Sequence, residues 1–329
     1  MTKRIVFTGH RQCTLESMAP APMADTAVRV KTLISLISTG TELICFNRNF
    51  APGTHWDNWI KYPFVPGYSL IGQVMQVGAK VQQFRVGDRV AARLGHVSEA
   101  VGDAAEFFPV PADMDPQAAA WFALAKIAGV GAHVAQYVLG DSVLVIGAGP
   151  IGQMSVRWAN AAGATVIICV DPLSSRLAPA KAGGATAVVA GAIDRVEAEI
   201  LAANGGRRPR VVIDSTGHAA VFSAALAMAA DRGRVVLLGD TGFPGQQHLT
   251  KDVIIRGLTV VGAHDAHADV LSNAAGAGIF FNLAMSGRFN LSGLNTHTFR
   301  PDQCQQAYET IDAQREKTMG VLFDWTSIG

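Results

Sequence analysis

The sequence predicts an α/β chain of two domains, a doubly wound parallel sheet inserted into a β-rich domain. Three observations predict it: a glycine-punctuated strand, turn and helix at 143–152, alternating strand and helix patterns after it, and short strand-like runs that fill the chain before residue 110. Val143-Leu-Val-Ile-Gly-Ala-Gly-Pro-Ile-Gly152, followed by Thr165-Val-Ile-Ile-Cys-Val-Asp171, reads as a strand, a tight turn, a helix and a second strand ending in a carboxylate.

From Lys3 to about Val110, apolar runs such as Val28 to Leu36, Leu70 to Val77 and Arg89 to Leu94 are separated by Gly, Pro and Asp. Phe84-Arg-Val-Gly-Asp-Arg-Val90 turns between strands with Gly87-Asp88 at its corner. Asp115 to Val138 is a helical pattern, apolar nearly all round, expected to lie buried at a domain junction. Then come Val143 to Ile146, Gln153 to Ala162, Thr165 to Val170, Arg176 to Ala182, Ala187 to Val189, Val196 to Ala203, Val211 to Asp214, Ala219 to Ala229 and Arg234 to Leu238, an alternation that implies a parallel sheet with helices on both faces. After Leu258 to Gly262, a helix is expected from about Ala268 to Ser286, with Asp265 as its N-cap. The tail holds Thr296 to Phe299, a helix-like Pro301 to Arg315 and a strand-like Val321 to Trp325. The expected domains are 1–114 with 288–329, and 115–287.

Length and composition suit a two-domain enzyme. The 329 residues are 49% hydrophobic and 16% charged, so a large core is available and disorder has little support. A net charge of +1 gives no electrostatic case for nucleic acid or an anionic membrane surface. Cys13, Cys45, Cys169 and Cys304 are scattered and form no CxxC pair, which points to neither a zinc ribbon nor a disulfide framework and fits a reduced cytoplasmic setting. The N-terminus lacks the apolar core of a signal sequence, and no later apolar run reads as an uninterrupted membrane span.

The glycine turn carries the chemistry. Gly147 permits the turn, Gly149 lets backbone amides approach a pyrophosphate and Gly152 lets helix and strand pack closely, with Pro150 and Ile151 opening the helix whose N-terminus favours anions. Asp171, 19 residues beyond Gly152, is placed to accept hydrogen bonds from both ribose hydroxyls and to repel a 2′-phosphate, which favours NAD(H) over NADP(H).

These pieces, with Ile37-Ser-Thr-Gly-Thr-Glu-Leu43, Tyr62-Pro-Phe-Val-Pro-Gly-Tyr-Ser-Leu-Ile-Gly-Gln-Val74, Val211-Val-Ile-Asp-Ser-Thr-Gly217 and Gly233-Arg-Val-Val-Leu-Leu-Gly239, give a chain that resembles the medium-chain dehydrogenase/reductase superfamily over nearly its whole length. The resemblance implies a GroES-like catalytic domain, a Rossmann domain, a nicotinamide in the cleft between them, and a homodimer or homotetramer formed through edge strands. It also implies that Arg176, Ser215, Thr216, Gly239, Gly262 and Ala263 join the cofactor site.

The departures from that family matter as much. Where zinc-dependent members carry a cysteine and a His-Glu pair, this chain has Thr39, Tyr68 and Ser69, and the later ligand position falls around Phe122. Hydroxyls are poor zinc donors beside thiolate and imidazole, and phenylalanine is none. The four-cysteine lobe is replaced by Leu94-Gly-His-Val-Ser-Glu-Ala-Val101. The expectation is no catalytic or structural zinc.

Without zinc, side chains must polarise the substrate oxygen and move its proton. Thr41 is the first candidate, followed by Tyr68 and by Lys126, which interrupts an apolar helix and can act as acid or base if desolvated. Glu42 is expected to hold a neighbouring backbone or arginine. His55 and Trp59, in a loop dense in aromatic and polar groups, and His96 and His264 are candidates for contact with a small polar substrate. His264 and His267 with Asp265 lack the further acids a metal site needs. The expected activity is interconversion of a secondary alcohol and a ketone, on a sugar, polyol or other polar cyclic compound. A bacteriochlorophyllide-type hydroxyethyl dehydrogenase, a quinone or enone reductase, and a dinucleotide-binding sensor without chemistry are the rival readings.

Overall fold

The computed structural model describes residues 1–328 of a chain that starts as a hairpin of β1 (Thr2–Gly9) and β2 (Gln12–Met18). It continues through β3 (Ala27–Ile37), α1 (Thr41–Asn47), α2 (His55–Trp59), β4 (Leu70–Val77), β5 (Arg89–Ala92), β6 (Glu99–Asp103), β7 (Phe107–Pro109), α3 (Pro116–Ala119) and α4 (Phe122–Ala135). Next come β8 (Ser142–Ile146), α5 (Pro150–Ala161), β9 (Val166–Asp171), α6 (Leu177–Ala182), β10 (Ala187–Ala190), α7 (Glu197–Ala203), β11 (Val211–Asp214), α8 (Ala219–Met228), β12 (Arg234–Leu237), α9 (Asp252–Ile255), β13 (Thr259–Gly262) and α10 (Asn273–Met285). The chain closes with β14 (Asn295–Phe299), α11 (Cys304–Ala313) and β15 (Gly320–Asp324). Contacts separate two units, Met1–Ala123 with the chain from Asn295 onward, and Leu124–Leu294.

The first unit holds the hairpin and a seven-stranded sheet in the order β14-β15-β3-β4-β5-β7, with β6 paired to β3. Its pairs are antiparallel except β14 with β15. Aromatic rings fill one core: Phe7, Phe46 and Tyr308 stack or meet edge-on at 4.8–5.4 Å, with Phe323 and Trp325 beside them. The second unit is a six-stranded sheet, wholly parallel, in the order β10-β9-β8-β11-β12-β13. The order reverses between β8 and β11, where a ligand crevice forms in such sheets at the carboxyl ends of the strands. Leu144, Ile146, Ile168, Val170, Val212 and Val235 are buried in the core of this unit, the near-continuous apolar strands a sheet covered on both faces requires.

Some expected elements are redrawn. The helix expected from Asp115 to Val138 is two: Asp115 caps α3, and a break at Ala120–Trp121 precedes α4. Taken across that break, Pro116–Ala135 is long and apolar enough to cross a membrane by length and composition, but 72% of its most apolar stretch is buried inside the protein, as in a core helix. The helix expected from Ala268 begins at Asn273, because Ser272, not Asp265, caps it, its Oγ accepting from Ala275 N at 3.2 Å. The loop expected at His55–Tyr62 contains helix α2, capped by Thr54.

Candidate active site

In the parallel-sheet unit the turn after β8 is built as the glycine spacing requires. Gly147 has φ 91°, in the region that favours glycine. A Cβ on Gly152 would lie 1.8 Å from Gly147 O, so helix α5 meets the turn at a distance only glycine tolerates. Gly149 is the N-cap of α5 and supplies no side chain to occupy the first-turn amides, which leaves them directed at an anion. Ser215, just after β11, donates from Oγ to Ile146 O at 2.8 Å and Gly147 O at 3.1 Å, tying the two sides of the reversal point together. Thr216 turns back to Asp214, donating from N at 2.8 Å and from Oγ1 at 2.7 Å. Burial raises the Asp214 carboxyl above its ordinary range, and these bonds oppose the rise.

Asp171, at the end of β9, is buried, and both its oxygens are engaged: Oδ2 accepts from Ala148 N at 2.7 Å and Oδ1 from Leu173 N at 2.8 Å. The Arg176 guanidinium stands 3.9 Å from Oδ2. Each oxygen keeps a second lone pair, so the carboxylate that braces the turn can still accept ribose hydroxyls. Behind the turn lies a buried polar network absent from the sequence reading. Gln153 Nε2 donates to Ala148 O and Arg176 O, both at 2.9 Å, and the fully buried Arg157 donates to Gln153 O, Gln153 Oε1 and Asn290 O. Turn, uncapped helix and braced carboxylate together fit a dinucleotide.

Lys126 does not stand as a lone amine. Its Nζ donates to Asp265 O at 2.5 Å and to Asp265 Oδ1 at 2.9 Å, so the expected acid or base is instead the anchor of the segment after β13. Within that segment His264 is exposed and accepts from Ala266 N at 3.1 Å through Nδ1. Gly262 is exposed and Ala263 buried.

In the β-rich unit, residues distant in sequence meet at one phenol. Tyr68 Oη donates to Ser38 Oγ and lies 3.3 Å from Thr41 Oγ1. One phenolic hydrogen cannot serve both, so with Ser38 taking it the Thr41 hydroxyl is free to donate back. The Arg93 guanidinium lies over the Tyr68 ring, 4.7 Å from its centroid. Burial pushes the Tyr68 phenol up to about 12, against the pull of both hydroxyls and Arg93. Thr41 opens helix α1, an element outside the sequence reading.

Beneath this cluster Glu42 is buried and fully used. Oε1 accepts from Ser38 N at 2.7 Å, and Oε2 accepts from Tyr308 Oη at 2.5 Å and meets His96 Nε2 at 3.0 Å. The expected backbone partner is present; no arginine is. His96, expected to face a substrate or the surface, is instead fully buried between Glu42 and Ser35 and edge-on to Phe323. Trp325 Nε1 donates to Ser35 Oγ at 2.8 Å. Tryptophan only donates, so Ser35 Oγ accepts from Trp325, while His96 Nδ1 lies 2.7 Å from the same oxygen and Nε2 faces the Glu42 carboxylate. Ser35, Ser38, Arg93, Tyr308 and Trp325 escaped the sequence reading. The one available signal was an acid, Glu42, beside the apolar run Leu43-Ile-Cys-Phe46.

His55 and Trp59 lie exposed on α2, Trp59 at 54%. Of the positions that hold zinc in the resembling enzymes, Ser69 donates its hydroxyl to Ala120 O at 2.5 Å, Phe122 is buried against Phe108, and Thr39 and Tyr68 offer only hydroxyls. No group of three or more His, Cys, Asp or Glu disposed to hold a metal occurs among the described residues. That donor set does not fit zinc.

Residues 35–114 match the alcohol dehydrogenase GroES-like domain, and residues 150–276 match the zinc-binding dehydrogenase family. An L-threonine 3-dehydrogenase of Bacillus velezensis is 30% identical over 286 residues, 76% of this chain and 79% of that protein. Among solved structures, a short chain alcohol dehydrogenase from E. coli CFT073, complexed with the cofactor NADH, superposes with a TM-score of 0.83 at 23% identity, covering 98% of this chain and 99% of the other. Galactitol-1-phosphate dehydrogenase from Escherichia coli superposes with a TM-score of 0.81 at 21% identity and the same coverage.

Proposed function

The chain belongs to the medium-chain dehydrogenase/reductase family of oxidoreductases, and on that premise we propose that it is a zinc-independent, NAD(H)-dependent enzyme that interconverts a secondary alcohol and a ketone. The observation that carries this reading is the hydroxyl cluster of Ser38, Thr41 and Tyr68, in which Tyr68 takes the position of a metal-ligating histidine in the resembling zinc enzymes. NAD supplies the hydride-accepting carbon, and NADH returns the hydride. The residues of this chain do the rest. Ser38, Thr41 and Tyr68 hold the substrate oxygen by hydrogen bonds, which orients the carbinol carbon and polarises the carbonyl. Lys126, tied to Asp265, positions the segment that carries His264.

The substrate we infer is a small polyhydroxylated or otherwise polar molecule, with the exposed His55 and Trp59 of the β-rich unit offering stacking and hydrogen bonds to the part that does not react, and the exposed His264 a separate candidate in the parallel-sheet unit. L-threonine and galactitol 1-phosphate, named for two of the relatives, are both polar alcohols, which supports that class. Edge strand β13, with Ile254 and Ile255 exposed at 87% and 73% just before it, supports assembly of this chain as a homodimer or homotetramer. Free cysteines at 13, 45, 169 and 304 support a cytoplasmic location.

The test is a panel of sugars, polyols and hydroxy acids with NAD or NADP, following reduced cofactor. Turnover with NAD that survives chelation, and a preparation without stoichiometric zinc, are expected. Thr41→Val should lower kcat about a hundredfold while leaving NADH affinity intact. A full zinc equivalent, preference for NADP, or no turnover across the panel overturns the reading.

A further inference from the structure

Among the three hydroxyls at the candidate site one is chemically distinct. Serine and threonine hydroxyls do not ionise in the range of protein function, whereas an ordinary phenol does so near about 10. Tyr68 is also the only one of the three with a cation on its face. Three segments bring this about. Tyr68 lies two residues before β4, Arg93 follows β5, and β4 pairs with β5 so that Leu70 faces Ala92, which sets the phenol and the guanidinium side by side at the end of the strand pair. The bond from Leu36 N to Ser69 O at 3.0 Å fixes the end of β3 against the same place, bringing Ser38 and then Thr41 to Oη.

We propose that Tyr68 is the proton donor in ketone reduction and that Arg93 is the positioning residue that holds the phenolate it leaves, a proposal that rests on the alcohol–ketone reading above. The carbonyl carbon receives the hydride with its electron pair from reduced nicotinamide, which is oxidised. The carbonyl π pair moves to oxygen, and that oxygen takes the proton from Tyr68 Oη as the phenolic O–H bond breaks. Ser38 and Thr41 then donate their hydroxyl hydrogens to the phenolate, with Arg93 over the ring, and water returns the proton before the next turnover.

The charges facing the phenol act in opposite directions, and both serve this role. Burial and the Glu42 carboxylate favour the neutral phenol, so the donor stays loaded at ordinary pH; Arg93 and the two hydroxyls favour the anion, so the loss of the proton is not prohibitive. Glu42 is itself held by Ser38 N, His96 and Tyr308, so it acts on the phenol through its charge and not as a hydrogen-bond acceptor for Oη. The guanidinium is also pre-organised, since a planar cation stacks on a ring where an ammonium does not.

The experiment places a fluorinated tyrosine at position 68 and follows its ionisation by fluorine NMR without cofactor or substrate, in the native background and in Arg93→Met and Arg93→Lys. The midpoint should move up in Arg93→Met and less in Arg93→Lys; an unmoved or lowered midpoint overturns the pairing. In parallel, Tyr68→Phe and Arg93→Met should lower kcat for ketone reduction about a hundredfold with KM changed little, and fluorination should draw the alkaline limb of the pH profile downward. Full ketone reduction by the native chain with undiminished kcat in Tyr68→Phe overturns this proposal alone and leaves Thr41 as the proton carrier. No reduction of any ketone by the native chain overturns the alcohol–ketone reading and this proposal with it.

Discussion

The glycine turn after β8 is made of backbone, whereas the hydroxyl cluster of the β-rich unit is made of side chains. At the turn, recognition depends on where amides point, so the residues that matter are those that must lack a side chain or a cap: Gly147 at positive φ, Gly152 against Gly147 O, Gly149 at the head of α5. At the cluster, the recognition we propose depends on Oη, Oγ and a guanidinium meeting from positions 38, 41, 68 and 93. A backbone site is written in a short stretch of sequence. A side-chain site is written by the fold, and its support is a second layer of bonds below it.

That second layer gives the largest way to break the comparison. Glu42→Ala removes the acceptor for Ser38 N, His96 Nε2 and Tyr308 Oη at once, at a buried position. Stranding those donors should cost about 3 to 5 kcal/mol, read as a lower urea midpoint with unchanged slope. Glu42→Gln, which keeps one acceptor oxygen, should lose less. Because the loss frees Ser38, kcat should fall with stability in both variants while NADH affinity, which we assign to the glycine turn of the other unit, stays. A stable Glu42→Ala protein would mean that the cluster stands without its foundation.

The converse holds at the turn. Gly152→Val puts Cβ on Gly147 O, and displacing that backbone should cost roughly 3 kcal/mol, about a hundredfold in NADH affinity by fluorescence titration. The urea midpoint should fall too, since helix α5 must move off the sheet. What should not change is the fluorine midpoint at position 68, and a shift there would show that the two sites are not built independently.

How much of this was legible follows from the same difference. Leu70–Val77 and Val211–Asp214 form the strands their apolar runs describe, and the parallel sheet follows from their alternation with helices. The local turn of 147–152 and the carboxylate of Asp171 were legible because sequence distance and spatial distance coincide there. Helix α1 was not, since Thr41-Glu-Leu-Ile-Cys-Phe-Asn47 is too short to show a period and carries a buried acid. His96 was read as a substrate contact because nothing near it in sequence offers a partner; its real partners, Ser35, Glu42 and Phe323, come from three other segments. Lys126 was misread in the same way: its partner lies 139 residues further on, in a segment expected to begin a helix.

Asp171 stands on the boundary between the two kinds of site, a side chain in a backbone site. Spacing alone assigns it to the ribose, but in the structure it also braces the turn through Ala148 N and Leu173 N. The two tasks predict different losses. If it only discriminated against a 2′-phosphate, Asp171→Ala would gain NADPH affinity and keep NADH affinity. Because it is also placed to accept the ribose hydroxyls and holds the turn, NADH affinity should fall about tenfold, near 1.4 kcal/mol, while NADPH affinity stays level as lost repulsion offsets the lost bonds and a looser turn. The preference for NADH therefore narrows from one side. Titration of both cofactors against the native chain and the variant separates the cases, and an unchanged preference with both affinities lowered equally would assign the selection to the shape of the turn rather than to the carboxylate.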